Sequence, residues 1–244
     1  MTTVSVLADP PHEGLVLPEL YETGPLSPAE AAELYAAMLA DVCLAVERSG
    51  GELLVNYRPA ELLPDEYADV DDESAVRSVL EGVLEESPRT EVQVGSTFAA
   101  RAGNTATHLL EQEGVDSVAI VEPTAPLISR THIDSAAMKL RHSPVVLGPA
   151  SDGRVHYTGL TEPIDFEGAY ESPAVETLAW RGRDAGHEVD FLPMLPTVET
   201  SADLATVVPL IRARAAAERI VPVHTATWID DRDLRVEDGS LTMG

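Results

Sequence analysis

The chain has 244 residues and carries 42 acidic side chains against 16 basic ones, which gives a formal net charge of −26. Nucleic acids and anionic membranes are bound through clusters of Lys and Arg, so this charge balance argues against both as partners. With 44% hydrophobic residues, the chain is long enough to bury one substantial core. We therefore expect a soluble globular protein.

Lys139 is the only lysine of the chain. In molar salt the Debye length falls to roughly 3 Å, so repulsion between surface carboxylates is largely screened. An acidic surface that is nearly free of lysine therefore predicts a halophilic protein. The alternative is an ordinary acidic protein.

Cys43 is the only cysteine, which excludes an internal disulfide and a zinc site built from cysteines. It lies in a helical pattern, where it is expected to be a small buried apolar side chain. No apolar run approaches the roughly 18 residues of a membrane-spanning helix, and the first residues lack a basic, apolar leader. These features predict a cytoplasmic protein.

The hydrophobic pattern predicts strands that alternate with helices along the chain. Strands are expected at 3–8, 52–58, 90–94, 116–122, 143–148 and 188–194. Helices are expected at 28–49, 73–85, 97–112, 131–140, 173–185 and 201–218. The first long helix has the clearest start, with Ser27 as N-cap, Pro28 at the first helical position and Glu30 completing a capping box.

This alternation predicts an α/β fold with three layers, in which a mostly parallel, Rossmann-like sheet has helices on both faces. Residues 1–222 would form this domain, and residues 223–244 would be a C-terminal extension with a hairpin turn at Asp238 and Gly239. Ligands of such sheets bind at the carboxyl ends of the strands. We therefore expect a site among the loops that follow Ala8, Val94, Val121 and Gly148.

Several common enzyme motifs are absent from the sequence. It has no GxGxxG after the first strand, no GxxxxGK[ST] and no GxSxG, so it lacks the dinucleotide fingerprint, the P-loop and the nucleophile elbow. The seven histidines form no HxxxH or HExxH pair. We expect them to be surface or supporting residues rather than metal ligands.

The stretch VVLGPASDGRVHY, residues 145–157, places an Asp-Gly turn directly after a buried strand. Asp152 has two interpretations in this position. It is either a turn residue, for which Asp-Gly is a favoured sequence, or a ligand held at the mouth of the strand.

Six segments, in order, resemble the GT-A-like proteins of largely unknown function that include the glycosyltransferases of arsenosugar biosynthesis. They are LSPAEAAELYAAMLAD (26–41), QVGSTFAAR (93–101), VEPTAPL (121–127), VLGPASDGRVHYTGL (146–160), YESPAV (170–175) and TVETSADL (197–204). Each match is weak by itself, and the resemblance depends on their order.

The resemblance implies a nucleotide-diphospho-sugar transferase-like fold, a nucleotide or nucleotide sugar as ligand, and Mg²⁺ or Mn²⁺ held on carboxylates. A metal ion is needed because the departing diphosphate carries several negative charges. Carried over by position, the resemblance assigns Asp152 as catalytic residue and metal ligand, and Glu199 and Glu122 as further metal ligands. It assigns substrate binding to Gly148, Gly153, Arg154 and Arg101.

The chain departs from the family pattern in its first loop, ADPPHEGLVLPEL, which contains no Lys or Arg where the family has a basic loop. In addition, Arg154 replaces the second glycine of the family's Asp-Gly-Gly turn. Arg154 either supplies the missing positive charge or closes the site.

Three functions follow from these observations. The first is metal-dependent transfer of a sugar from a nucleotide sugar. The second is a non-catalytic descendant of the fold that acts as a binding or assembly protein, which the acidic first loop favours. The third is a nucleotidyltransferase such as a phospholactate guanylyltransferase. A homo-oligomer is one candidate state.

Overall fold

A computed structural model describes residues 1–243 of the chain and contains a central sheet of seven strands in the order β3-β2-β1-β4-β6-β5-β7. The strands are β1 (Thr2–Ala8), β2 (Glu52–Tyr57), β3 (Arg89–Val92), β4 (Ser117–Val121), β5 (Val145–Pro149), β6 (Val155–Leu160) and β7 (Val189–Phe191). Strand β6 is antiparallel to both of its neighbours, and the other pairings are parallel. The predicted α/β class with a mostly parallel sheet is confirmed.

Eight α-helices accompany the sheet in the described residues. They are α1 (Pro18–Glu22), α2 (Pro28–Glu47), α3 (Asp72–Leu80), α4 (Phe98–Thr107), α5 (Arg130–Lys139), α6 (Ala174–Asp184), α7 (Ser201–Ala216) and α8 (Val223–Asp231). Helix α2 has the predicted capping box, in which Ser27 Oγ accepts from the Glu30 amide and the Glu30 carboxylate accepts from the Ser27 amide. Helix α4 continues into a π-helical turn, His108–Glu113, and ends at Gly114 with φ 69°.

The central strands β1, β4, β5 and β6 are buried on both faces, as is typical of strands covered by helices on both sides, whereas the edge strands β3 and β7 are partly exposed. Successive residues of one strand point to opposite faces. In β4, for example, Ala119 and Val121 belong to the core on the side of α2 and α5, whereas Val118 and Ile120 belong to the core on the side of α4 and α6. Cys43 is fully buried in the first of these cores, as expected.

Five features differ from the sequence-based expectations. Strand β7 is a short, half-exposed edge strand rather than the expected buried strand at 188–194, because it pairs only with β5. Helix α3 ends at Leu80 instead of continuing to residue 85. Helix α1, strand β6 and helix α8 were not expected. The apolar residues of α8 are few, and its position depends on contacts with a distant part of the chain.

Helix α8 is fixed to α2 through Asp41. The buried Asp41 carboxylate accepts hydrogen bonds from the backbone amides of His224 and Thr225, and from the Thr225 hydroxyl at 2.7 Å. Trp228 and Ile229 then complete a core cluster with α2 and α7. Helix α8 therefore packs against α2 and α7.

A two-stranded hairpin follows, formed by β8 (Arg235–Glu237) and β9 (Ser240–Thr242). It turns at Asp238 and Gly239, where the sequence predicted a hairpin, and both residues have positive φ. The boundary at residue 222 stays a prediction. Within the described residues, no helix combines the length and hydrophobicity that crossing a membrane requires.

Candidate functional site

The carboxyl ends of β1, β4 and β5 meet at one edge of the sheet. Asp9, Glu122 and the 151–153 turn follow these three strands directly. Because β6 runs antiparallel, its first residues return to the same edge, and Arg154 lies there as well. The rule that ligands bind at the carboxyl edge therefore directs attention to this group of charged residues.

A cavity of about 340 Å³ opens at this edge. Its polar lining includes the carboxylates of Asp9, Glu19, Glu122 and Glu199. The remaining wall comes from Leu7, the 15–18 segment, Tyr35, Phe98, Pro123 and Thr124. The structure thus brings together two of the three predicted metal ligands, Glu122 and Glu199, whereas Asp152 does not line the cavity.

A larger open depression of about 650 Å³ lies along α3 and the 81–88 segment. Its polar lining residues are exposed or half-buried. The strand-end cavity, in contrast, lies at the carboxyl ends of the parallel strands, where ligands of such sheets bind, and it is therefore the candidate site.

Glu122 is the most perturbed carboxyl group of this site. Burial raises its pKa to about 8, and the neighbouring carboxylates of Glu199 and Asp9 add to the rise. Its side chain has no hydrogen-bond or ion-pair partner among residues 1–243. Near neutral pH the isolated chain therefore holds a proton on Glu122, in a cavity where a cation would stabilise the ionised form.

Arg154 lies beside the cavity and is bound by acidic groups. Its guanidinium donates to Asp203 at 2.6 Å and to the Ser151 carbonyl at 3.1 Å, and it pairs with Glu199 at 3.1 Å. Asp152 is more distant, at 3.5 Å. Burial alone would raise the pKa of Asp203, but the hydrogen bonds from Arg154 and Thr200 hold it below its usual value.

Asp152 is a turn residue in this structure. It has φ 56°, and its side chain is 83% exposed. Gly153 has φ 73°, and a Cβ atom there would lie 2.8 Å from the Pro173 side chain. Both the left-handed backbone conformation and this close contact favour glycine. The catalytic role predicted for Asp152 and the substrate contact predicted for Gly153 stay predictions.

Gly148 lies in the buried part of β5, against the ring of His156. A Cβ atom at position 148 would overlap that ring. The missing side chain therefore makes room for His156, whose Nε2 lies 3.2 Å from the Pro193 carbonyl. The predicted substrate contact at Gly148 has no other support in the geometry.

Arg101 is buried beneath the cavity, with 6% of its surface exposed. Its Nε donates to Gln93 Oε1 at 2.6 Å, and its guanidinium lies 5.6 Å from the centre of the Phe98 ring. Burial lowers its pKa, while Asp9 and Glu122 favour its charged form. Arg101 does not line the cavity, so its effect on the site is electrostatic, through its charge interactions with Asp9 and Glu122.

Sequence reasoning missed two ion pairs of the site. Asp9 pairs with Arg58 at 3.3 Å, and Arg154 pairs with Asp203. Arg58 follows β2 directly, so the strand-end rule applied to that strand would have found it. Asp203 is the third residue of α7 and forms a capping box with Thr200, which is a sequence signal for a cap but not for an arginine partner.

A second cluster of ligand atoms lies elsewhere, near the end of β3. One ligand atom from each of Glu91, His108 and Glu113 lies within 4.8 Å of the other two. Among residues 1–243, no other set of three such side chains comes this close together. Arg89 pairs with both glutamates, so the cluster already contains a cation. The expectation that histidines are not metal ligands stays a prediction.

The strand-end cavity fits a divalent metal ion in its chemistry. Glu122 is an unpaired carboxylate, and the buried hydroxyl of Thr124, another lining residue, has no hydrogen-bond partner among the described residues. Carboxylate and hydroxyl oxygens are hard ligands of the kind that Mg²⁺ and Mn²⁺ prefer. Mg²⁺ is often held by one or two carboxylates together with substrate phosphates, so a ready set of three protein ligands is not needed.

The fold is that of the nucleotide-diphospho-sugar transferase-like α/β proteins. Residues 66–169 match the model of a family described as "Uncharacterized protein conserved in bacteria (DUF2064)". The chain is thus similar to this family over less than half of its length. No curated protein matches the chain in sequence.

Solved structures resemble the chain over most of its length. A candidate nucleotide-diphospho-sugar transferase from Desulfovibrio desulfuricans G20 superimposes with a TM-score of 0.76 at 18% identity, over 95% of each chain. A nucleotidyl transferase from Methanothermobacter thermautotroptrophicus gives a TM-score of 0.52 at 13% identity, over 85% of this chain and 95% of its own. The CMP:2-keto-3-deoxy-manno-octonic acid synthetase complexed with CTP gives 0.50 at 13% identity, over 89% and 99%. At these identities the similarity shows the shared fold.

Proposed function

We propose that the chain is a transferase that acts on a nucleotide-activated donor, with one Mg²⁺ or Mn²⁺ ion held by Glu122 and Glu199 in the strand-end cavity. The observation that carries the proposal is the unpaired carboxyl group of Glu122, whose pKa is about 8 beside two further acidic residues. A carboxyl group in such an environment is typical of a site that receives a cation or a proton during function.

The charge of the cavity supports a metal ion for a donor that carries phosphates. The four charged lining residues are acidic, and neither Arg58, which pairs with Asp9, nor Arg101 lines the cavity. A diphosphate would be repelled by the lining unless a cation lay between them. When bound, Mg²⁺ or Mn²⁺ would neutralise charge on the diphosphate as the bond to the transferred group breaks.

Space for a second substrate lies next to this cavity. A depression of about 630 Å³ is lined by the start of α4 and by the 164–171 segment, and Phe98 is part of both walls. The Phe98 ring packs edge-on against Tyr170, with 4.7 Å between centroids. We assign the acceptor to this depression, so that donor and acceptor meet at Phe98.

A thermal-shift experiment in molar KCl tests the proposal. Nucleoside triphosphates and nucleotide sugars, each with and without Mn²⁺, should raise the melting temperature only when the metal is present. Glu122→Gln should abolish this shift, whereas Glu33→Gln, an exposed acidic residue outside the cavity, should preserve it. Absence of a shift with every nucleotide would contradict the proposal.

The product separates two kinds of transfer. A glycosyltransferase, the activity to which the motif resemblance points, would release a nucleoside diphosphate or monophosphate from a nucleotide sugar. A nucleotidyltransferase, as named among the structural relatives, would release pyrophosphate from a nucleoside triphosphate. Both use the same cavity and metal.

The second candidate function is a non-catalytic protein that keeps the fold for binding or assembly. It is favoured by the acidic first loop and by Arg154, whose guanidinium is already occupied by carboxylates. A product formed from a nucleotide donor and lost in Asp152→Ala or Glu122→Gln would exclude this candidate.

A further inference from the structure

Arg154 is the meeting point of three separate segments. Its partners Asp152, Glu199 and Asp203 come from the 151–153 turn, the 197–199 segment and the first turn of α7. The Arg154 side chain is 17% exposed and that of Asp203 is 5% exposed. The Arg154–Asp203 pair is thus largely shielded from solvent, where electrostatic interactions are stronger than at the surface, whereas Glu199 is 42% exposed and Asp152 is 83% exposed.

The guanidinium has little capacity left for a substrate. Of its five N–H groups, Nε–H donates to the Ser151 carbonyl, and one of the terminal nitrogens serves both Asp203 and Asp152. The other terminal nitrogen pairs with Glu199. At most one N–H group remains, so Arg154 cannot present the two parallel donors with which arginine binds a phosphate.

The second carboxylate oxygen of Asp203 is also occupied, by the backbone amides of Glu199 and Thr200 and by the Thr200 hydroxyl. Asp203 thus orients Glu199 in two ways. It accepts a hydrogen bond from the Glu199 amide, and it holds Arg154, which pairs with the Glu199 carboxylate. Three carboxylates with one guanidinium leave the group with a formal charge of −2. Oxygen ligands in this number and charge suit a divalent cation as well as they suit an arginine.

We propose that Arg154 is a built-in cation that occupies the position of a second divalent metal ion and holds Glu199 toward the cavity. The centre would then bind a single metal ion, through Glu122 and Glu199. The single-ion part of this proposal rests on the proposed function, whereas the role of Arg154 as a substitute for a metal does not. Arg154 is in this account a positioning residue that does not contact substrate.

Mn²⁺ binding tests the proposal, with the free Mn²⁺ signal followed by electron paramagnetic resonance in molar KCl. His108→Gln serves as the background in every sample, because it removes the cluster near β3. The chain that keeps Arg154 should bind one Mn²⁺, and Arg154→Met should bind one more, because three carboxylates lose their counter-charge. Arg154→Lys, which keeps the charge, should bind as the wild type does. Arg77→Met removes an exposed arginine paired with a single glutamate and should change nothing.

Loss of the guanidinium will also destabilise the fold, and this effect provides a second readout. If a metal ion can take the place of Arg154, Mn²⁺ should raise the melting temperature of Arg154→Met by more than it raises that of the wild type. Equal Mn²⁺ binding by Arg154→Met and wild type would overturn the proposal. So would an Arg154→Met chain that stays unfolded in the presence of Mn²⁺.

The two proposals fail in different ways. If the wild type binds no Mn²⁺ but Arg154→Met binds one, the metal-dependent function is wrong and the role of Arg154 holds. If the wild type binds one ion and Arg154→Met also binds one, the function is supported and the role of Arg154 is wrong.

Discussion

The sequence identified Glu122 as a candidate site residue, but it did not predict the surroundings that perturb the pKa of Glu122. The resemblance assigned Glu122 as a metal ligand. The structure shows Glu122 in the cavity with Asp9 and Glu199, which come from distant parts of the chain. The sequence contains no signal for this convergence. Burial raises the pKa of Glu122, and the converging carboxylates add to the rise.

Glu122→Gln should stabilise the metal-free chain, and the gain should grow as the pH rises from 6 to 8. The pKa of Glu122 is raised from 4.5 to about 8 in the folded state, so between these values folding takes up a proton and becomes less favourable as the pH rises. Glutamine mimics the neutral acid and removes this penalty. Melting temperatures of both proteins at pH 6 and pH 8, without metal, measure the effect. A gain that does not change with pH would contradict it.

His156→Gln should make the chain less sensitive to acid. Burial lowers the pKa of His156 from 6.5 to about 4, so its contribution to stability is complete above pH 6.5 and is lost as the pH falls toward 4. The linked loss is up to about 3 kcal/mol. Denaturant unfolding at pH 7 and pH 5 should show a smaller difference in the variant than in the wild type. His142→Gln, an exposed histidine, should behave as the wild type does.

At the scale of elements, the sequence predicted the framework of the fold better than its edges. The strands that became β1, β2 and β4 are apolar runs buried on both faces, which local pattern identifies well. Helix α8 was missed because its position is set by Asp41, which lies 183 residues before the first amide that it binds. The Arg154–Asp203 pair joins residues 49 apart and was missed for the same reason.

Asp41→Ala should lower the free energy of unfolding by about 2 to 3 kcal/mol, because it leaves two buried backbone amides and a hydroxyl without their charged acceptor. Mn²⁺ binding at the cavity should not change, since Asp41 acts at the α2–α8 contact. Asp231→Ala, which removes an exposed carboxylate at the end of α8, is the matched control. A loss below about 0.5 kcal/mol, the level of an ordinary surface substitution, would show that α8 does not depend on Asp41.

At the scale of the whole molecule, charge is the dominant feature. A net charge of −26 on a chain of this size creates a repulsion that the local ion pairs do not balance, because most carboxylates have no basic partner. The sequence was sufficient for this expectation, since composition alone fixes the net charge.

The melting temperature should therefore rise steadily between 0.1 M and 2 M KCl, as the Debye length falls from about 10 Å to below 3 Å. An equal series in glycine betaine, which is neutral overall, serves as the control for effects other than screening. A melting temperature that is constant above about 0.2 M KCl would contradict the halophilic interpretation.

The most direct test of the account is the number of Mn²⁺ ions bound by the His108→Gln chain with and without the further substitution Glu122→Gln, in molar KCl. The account predicts one bound ion when Glu122 is present and none after Glu122→Gln. Equal binding by the two proteins, or no binding by either, would contradict a metal site in the strand-end cavity.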